Sequence, residues 1–379
     1  MIRAHRIRLN PTKAQSDYLF QCAGIARFTW NWALAACNMG VPTQYIKLEF
    51  NRLRSDEGFA PFVGEVQSYA YQYAMQDLLT AISRYWSFQK AGKLKPPVDW
   101  KPRKDGKPFG WPRFKSKGKT TPSAGFANTG IKFDGHNVFL QRCPDGPVNM
   151  AEPLRYDGRV LSGRVSFTGG HWYLAVQVEV DDLPQTADTS KAVGVDLGIK
   201  YRAVTSDGVI YDNPKALANH QRKLAKLQRS LSRMDRGGSN YNKRKAEIAK
   251  LYERIANIRR EHAHELTTEL VGEYGLIGVE DLNIKGMVKN RKLAKAVGDA
   301  GMYQVRQQLE YKAAAIGGQV VKVDRWFASS KTCSKCGEQV KELSLSVRTW
   351  VCPSCGAEHE RDGNAAINIR NEAVKLANL

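Results

Sequence analysis

The run AVGVDLGIKYRAVTSDGVIY, residues 192–211, decides how the chain is to be read. Small and apolar residues surround one acid, Asp196, and Asp207-Gly208 then supplies a hairpin turn. The pattern predicts three short strands in a meander, the first apolar enough to be covered by helices. A carboxylate inside such a strand needs a compensating charge, because a buried unpaired ion is strongly unfavourable. Its partner has to come from elsewhere in the chain.

Downstream, two long helical stretches are predicted at 213–233 and 241–274, split by DRGGSN. Leu224, Leu227 and Leu231, then Ile248, Leu251, Ile255 and Ile258, give each an apolar stripe for packing. Between Pro214 and His262 there are fourteen Lys or Arg against four acids, so the opposite face can serve as a phosphate rail. GLIGVED (275–281) reads as a strand ending at Glu280, followed by a helix near 302–316 and a strand at 319–324. Asp362 opens the last helix. Alone, it reads as readily as a helix cap, and a single strand acid is commonly a surface residue. Together, Asp196, Glu280 and Asp362 occupy positions that an RNase H-type core brings to one edge. Three carboxylates that close repel one another, and divalent cations resolve this by taking oxygen ligands from several at once. Two Mg²⁺ (or Mn²⁺) ions held there would support in-line phosphodiester hydrolysis.

Between the last two core elements lies CSKCGEQVKELSLSVRTWVCPSCGAEHERDGNAAINI, residues 333–369. Cys333, Cys336, Cys352 and Cys355 form a C-x2-C-x15-C-x2-C pattern, with Gly337 and Gly356 after each knuckle. This spacing predicts a tetrahedral Zn²⁺ ribbon rather than a disulfide or redox pair. Four thiolates close the site, so the metal folds the module and performs no chemistry. His359 is not expected to be a ligand; contact with substrate or with the ligands, or plain exposure, remain open for it.

Composition narrows the partner. The 379 residues carry a net charge of +21, which favours nucleic acid over an anionic membrane surface. No stretch of about 18 apolar residues occurs, so no membrane span is expected. MIRAHRIRLNP has no apolar h-region, and seven cysteines, three of them scattered, do not resemble a secreted disulfide framework. A cytoplasmic protein is expected. Residues 2–9 read as a strand, Thr12-x-x-Gln15 as a capping box, and the chain to about residue 85 as helical, including an amphipathic helix at 67–86. Residues 86–119 hold eleven Lys or Arg against two Asp, broken by five prolines and interleaved with aromatics. That is a solvated loop or, given the whole-chain charge, a nucleic-acid contact through Arg113, Lys115 and Lys117. From 129 to 181 strands return, with turns at Asp134-Gly135 and Gly169-Gly170, as in a small barrel. The segment 181–190 reads as a linker.

These residues resemble the TnpB family, transposon-encoded RNA-guided DNA endonucleases related to type V CRISPR effectors. The resemblance rests on VGVDLGIKYRAVTSDG, GLIGVEDLNIKGM, GWPRFKSK, the opening RLNPTKAQ…GIARFTWNWAL and, most specifically, the ribbon running into RDGNAA. It implies a multidomain α+β chain. An N-terminal wedge β-barrel (first strand 1–10, remainder 120–187) is interrupted by a helical recognition lobe with the basic segment (11–119). A RuvC-like nuclease (188–328, last helix 361–379) follows, with a zinc ribbon at 329–360. It further implies Asp196, Glu280 and Asp362 as catalytic Mg²⁺ ligands. The partners would be a guide RNA made from the transposon end and a double-stranded DNA target, bound beside a short duplex motif. Around the triad, Arg361 and Asn364 are expected to orient Asp362 or a scissile phosphate, against plainer roles as a surface charge and a helix-start hydrogen bond. Lys285 either lines the substrate path or is solvated. Gln72 either reads the duplex motif or is an exposed helix residue. Two further readings stand beside the endonuclease: a guided binding protein that regulates transposition or transcription without obligatory cutting, and a self-sufficient transposase. For the last, no obvious end-binding module such as a helix-turn-helix is legible.

Overall fold

A computed structural model describes residues 1–54, 58–97, 100–344 and 347–378. Positions 55–57 and 98–99 of the segment 11–119, 345–346 of the ribbon and 379 of the last segment lie outside them. The chain divides into two compact units, residues 1–181 and 182–379.

The first unit opens with β1 (Ile2–Asn10) and three helices, α1 (Lys13–Asn38), α2 (Ile46–Arg54) and α3 (Tyr69–Lys90). Pro11 ends the strand. The Thr12 hydroxyl then accepts from the Gln15 amide at 3.2 Å while the Gln15 side chain accepts from the Thr12 amide at 3.0 Å, the expected reciprocal cap. Six strands follow: β2 (Ser123–Ala127), β3 (Ile131–Asp134), β4 (Asn137–Leu140), β5 (Val148–Met150), β6 (Arg159–Thr168) and β7 (His171–Glu179). They form one antiparallel sheet in the order β2-β6-β7-β1-β5-β4-β3. Its curl brings β3 against β6: a Cβ on Gly163 would come within 2.5 Å of Ile131 Cδ1. The barrel is thus nearly closed, as the alternating strands predict. Along β7, Trp172, Leu174, Val176 and Val178 point to the core, and outward Tyr173 is buried under the Arg6 guanidinium, 3.6 Å from its ring centroid.

The second unit contains β8 (Ala192–Asp196), β9 (Tyr201–Thr205), β10 (Ile210–Asp212), α4 (Ala216–Ser232), α5 (Ser239–Glu273), β11 (Leu276–Glu280), α6 (Ile284–Met287), α7 (Ala294–Ala300), α8 (Met302–Ala315), β12 (Gln319–Val323), β13 (Thr349–Val351), β14 (Glu358–Glu360) and α9 (Arg361–Leu376). The meander is present, as are both long helices. The short helices α6 and α7 are additions that their brief, weakly patterned sequences do not announce. Asp299, at the end of α7, accepts from the Leu217 amide at 2.8 Å and so caps α4 from a distance.

The sheet order is β10-β9-β8-β11-β12, with β8, β11 and β12 parallel and β9 antiparallel to β8. Side chains alternate across it. Val193, Val195, Ile277 and Val279 face one way, into a core completed by Leu266 and Leu270 of α5 and Val305 and Leu309 of α8. Gly194 and Gly278 face the other way, toward α9. A Cβ on Gly194 would lie 1.9 Å from the Ala366 carbonyl oxygen, and one on Gly278 would lie 2.6 Å from Ala373 Cβ. Two side-chain-free positions therefore let α9 rest directly on the strands. Asp196 and Glu280, two residues beyond these glycines, share that face.

Candidate active site

Val195 of β8 pairs with Val279 of β11, so Asp196 and Glu280 are neighbours where two parallel strands end. Strand ends of this kind are the usual place for a site in an open α/β sheet. Asp362 arrives from the first turn of α9. It is not the cap: Glu360 holds that position and accepts from the Gly363 amide at 2.6 Å, which leaves the Asp362 carboxylate to face the strand ends. All three acids line one cleft of about 460 Å³, together with Ser329, Arg348 and Arg361.

The electrostatics follow from this crowding. Burial first, then the charges of Glu280 and Asp362, push the Asp196 carboxyl up to about 8, with Arg361 pulling the other way. The Ser329 hydroxyl donates to Glu280 Oε1. Arg348 Nη1 sits 3.3 Å from both oxygens of Asp362. The three carboxylates do not all approach within 4.8 Å of one another; among the described residues only the four cysteines form a group that tight. Arg348 supplies Asp362 with a compensating charge. The next acid, Asp281, is excluded from the site. Arg325 at 2.5 Å and Arg306 at 3.0 Å bind it and hold its carboxyl below the usual range.

The cysteine module takes the expected form. Cys333 and Cys355 sulfurs lie 3.7 Å apart and those of Cys336 and Cys352 3.6 Å. A tetrahedral zinc site with Zn–S of about 2.3 Å has sulfurs about 3.8 Å apart, so the donor set fits Zn²⁺. The Gly337 and Gly356 amides turn back to the Cys333 and Cys352 carbonyls at 2.9 and 3.0 Å, through positive φ of 79° and 69°. Backbone amides of Cys355 and Ser354 draw the Cys352 thiol below its usual range, while hydrogen-bonded neighbouring sulfurs push that of Cys336 up. His359 is buried against the Trp350 ring with Nε2 3.0 Å from Cys333 Sγ, so it supports the ligands rather than reaching solvent or substrate.

The ribbon and the cleft are one piece of construction. Strand β13 follows Arg348 directly, and β14 runs directly into α9. The Arg361 amide donates to the Arg348 carbonyl at 2.7 Å. Asn364, expected near the chemistry, is buried with its polar atoms turned to the ribbon: it accepts from the Ser334 amide at 2.9 Å and donates to the Thr332 carbonyl at 2.7 Å. Asn368, one turn on, donates to the Ser329 and Thr332 carbonyls at 2.8 and 2.7 Å. Arg361 lines the cleft and also donates to the Ser344 carbonyl at 3.0 Å. Lys285 is exposed on α6.

The nucleic-acid candidates of the first unit are apart from these residues in sequence and belong to that unit alone. Lys115 packs its ammonium 3.7 Å from the Trp30 ring centroid, and Asn31 brackets its backbone at 2.7 and 2.9 Å. The Arg113 carbonyl accepts from Trp30 Nε1 at 2.9 Å while its side chain is exposed, as is Lys117. Half-buried Gln72 lines a groove of about 380 Å³ between α2 and α3 with Lys47, Arg54, Tyr69 and Tyr73.

Ser329, Arg348 and Asn368 were not singled out by the sequence reading. Ser329 stands four residues before Cys333, and Arg348 four residues before Cys352 and directly before β13. That adjacency to the metal motif is the signal they carry.

A family model described as "Probable transposase" matches residues 175–291, one described as "Cas12f1-like, TNB domain" matches 303–369, and one described as "Helix-turn-helix domain" matches 1–39. In that last stretch the structure has strand β1 and the single helix α1. A Streptomyces pristinaespiralis protein named "Putative RNA-guided DNA endonuclease" is 32% identical over 97% of this chain and 88% of its own length. The Escherichia coli protein of that name with the suffix InsQ is 28% identical over 97% of this chain and 91% of its own. The cryo-EM structure of a Cas12f1-sgRNA-target DNA complex aligns over 98% of this chain and 99% of that one, at 16% identity and a TM-score of 0.37. The chain belongs to the TnpB family of RNA-guided DNA endonucleases. Among the described residues no helix is long and apolar enough to cross a membrane.

Proposed function

We propose that this chain is an RNA-guided, metal-dependent DNA endonuclease of transposon origin, acting in the cytoplasm on nucleoid DNA. In this reading the second unit is an RNase H-type, RuvC-like nuclease with the four-cysteine ribbon inserted before its last helix. The first unit is the wedge barrel with its inserted helical recognition lobe. The strand order with one antiparallel member supports the nuclease assignment, and the nearly closed barrel interrupted by α1–α3 supports the other. The observation that carries the function is the convergence of Asp196, Glu280 and Asp362 on one cleft, with Asp196 pushed to about 8 by burial and by its two neighbours. Such a cluster suits cations more than it suits itself.

Asp196, Glu280 and Asp362 would hold a pair of Mg²⁺ or Mn²⁺ ions, which when bound activate water and offset charge on the scissile phosphate. The protein's own part is positional. Ser329 fixes the Glu280 carboxylate, Arg348 keeps a cation beside Asp362, and Arg361 adds a second positive group for a phosphate entering the cleft. A guide RNA made from the transposon end would select the DNA by pairing, and protein contacts, with Gln72 and the groove around it as candidates, would read a short duplex motif. Arg113 and Lys117 in the first unit and the exposed stripe Arg222, Lys226 and Arg229 on acid-free α4 are suited to phosphate contacts, whereas Lys115 is engaged on the Trp30 ring. The test is cleavage of a plasmid carrying a guide-matched target by wild type and by Asp196→Ala, each charged with guide RNA. Nicking by wild type alone is expected; equal activity removes Asp196 from the mechanism. Tight guided binding in Mg²⁺ without any nick would leave a binding regulator instead.

A further inference from the structure

Trp326 is 86% exposed, the most exposed of the large hydrophobic side chains among the described residues. An indole left in water forgoes the burial that ordinarily places it inside, so its position calls for a partner. The backbone on either side is fixed. The Trp326 amide donates to Asp324 Oδ1 at 2.7 Å. Arg325 is held on Asp281, the residue after Glu280. Phe327 packs into the core formed by Leu276, Val321, Val323, Ile369 and Ala373. Ser329 donates to Glu280 itself. The turn between β12 and the ribbon is therefore nailed at three points, and it presents one aromatic ring outward from a rigid support.

The location defines the ligand. Val323 pairs with Glu280, so the turn leaves the sheet at the same edge as the acids. Three peptide links separate Trp326 from Ser329, which limits their Cα distance to about 11 Å. A polymer strand that extends a few nucleotides beyond the cleft can thus reach the indole. Base–aromatic stacking stabilises a complex by about 1–3 kcal/mol and tolerates any sequence, whereas a paired base offers no free face. An acidic cleft supplies no such grip on its own.

We propose that Trp326 is a positioning residue that stacks on an unpaired base of the DNA strand lying in the cleft, next to the phosphate to be cut. This rests on the nuclease reading above, and the first test needs no cleavage. Binding of a short oligothymidylate to the zinc-loaded full chain is measured without added Mg²⁺ at about 0.3 M salt, where phosphate attraction is suppressed. Trp326→Ala is expected to weaken it about 5- to 100-fold, Trp326→Phe to retain most of it, and an abasic oligomer to bind all three proteins equally. In guided cleavage with Mg²⁺, Trp326→Ala then raises KM more than it lowers kcat, and Phe restores it. Unchanged oligothymidylate binding by Trp326→Ala, or a Phe variant as weak as Ala, overturns the proposal. So does a loss seen with oligouridylate and not with oligothymidylate, which would make the ligand RNA. A wild type that cleaves nothing yet shows the indole-dependent binding would sink the nuclease reading and leave the stacking site standing.

Discussion

At the scale of single residues, Asp196 carries a cost that the proposed metal site would explain. Its carboxyl keeps a proton up to about pH 8 in the folded chain, against about 4 when unfolded. The folded state therefore binds more protons in that window, and stability falls as pH rises through it. Asp196→Asn should abolish cleavage yet stabilise the chelated protein at about pH 7.5 by about 1–3 kcal/mol, seen as a higher melting temperature that vanishes near pH 4. Added Mg²⁺ should raise the melting temperature of wild type more at pH 8 than at pH 6 and leave the Asn variant unmoved. Ser329 acts through Glu280. Ser329→Ala is expected to raise the Mg²⁺ needed for half-maximal cleavage about tenfold with the fold intact, read from a metal titration. Asp196 was legible because an acid in an apolar strand is conspicuous. Of the two roles open to Asn364, its contacts match the helix-start hydrogen bond: its amide faces the ribbon, a direction that nearness to Asp362 in sequence does not reveal.

At the scale of elements, two contacts aim the third acid. Gly194 admits α9 onto β8 at a distance no side chain permits. Gly194→Val should cost more than about 3 kcal/mol, measured by urea unfolding, because the obstruction is backbone and cannot rotate away. The ribbon is the other contact. Stripping zinc, or Cys352→Ser, should release the ribbon to protease while the remaining sheet keeps its far-UV signal, and should lower cleavage at least tenfold even in saturating Mg²⁺. The strands, the long helices and the knuckles were readable because periodicity and spacing are local. The roles of Gly194 and Gly278 were not, for they depend on a helix about 170 and 90 residues further along the chain coming to lie on them. The same holds for Asp299 capping α4, an acid whose partner no local pattern names.

At the scale of the whole molecule, the charge of +21 sets the terms of association. Affinity for guide RNA should fall at least about 10³-fold between 50 and 200 mM salt, and replacing Arg222, Lys226 and Arg229 together by Gln should flatten the salt slope by about two to three. A fluorescence-anisotropy series at stepped salt checks both, and an unchanged slope would show that the α4 stripe meets only solvent. The composition announced a polyanion but left open which surface meets it, since charge counted along a sequence does not reveal what each unit turns outward. The ribbon's place in the architecture reaches further. Arg348 and Asp362 sit together where β13 begins and β14 passes into α9, so on the proposed reading the filling of the cysteine site decides whether the carboxylate site is complete. On that reading, a chain made during zinc scarcity would carry every acid yet aim only two of them, and the cell's zinc economy would set a ceiling on how much of this protein is armed.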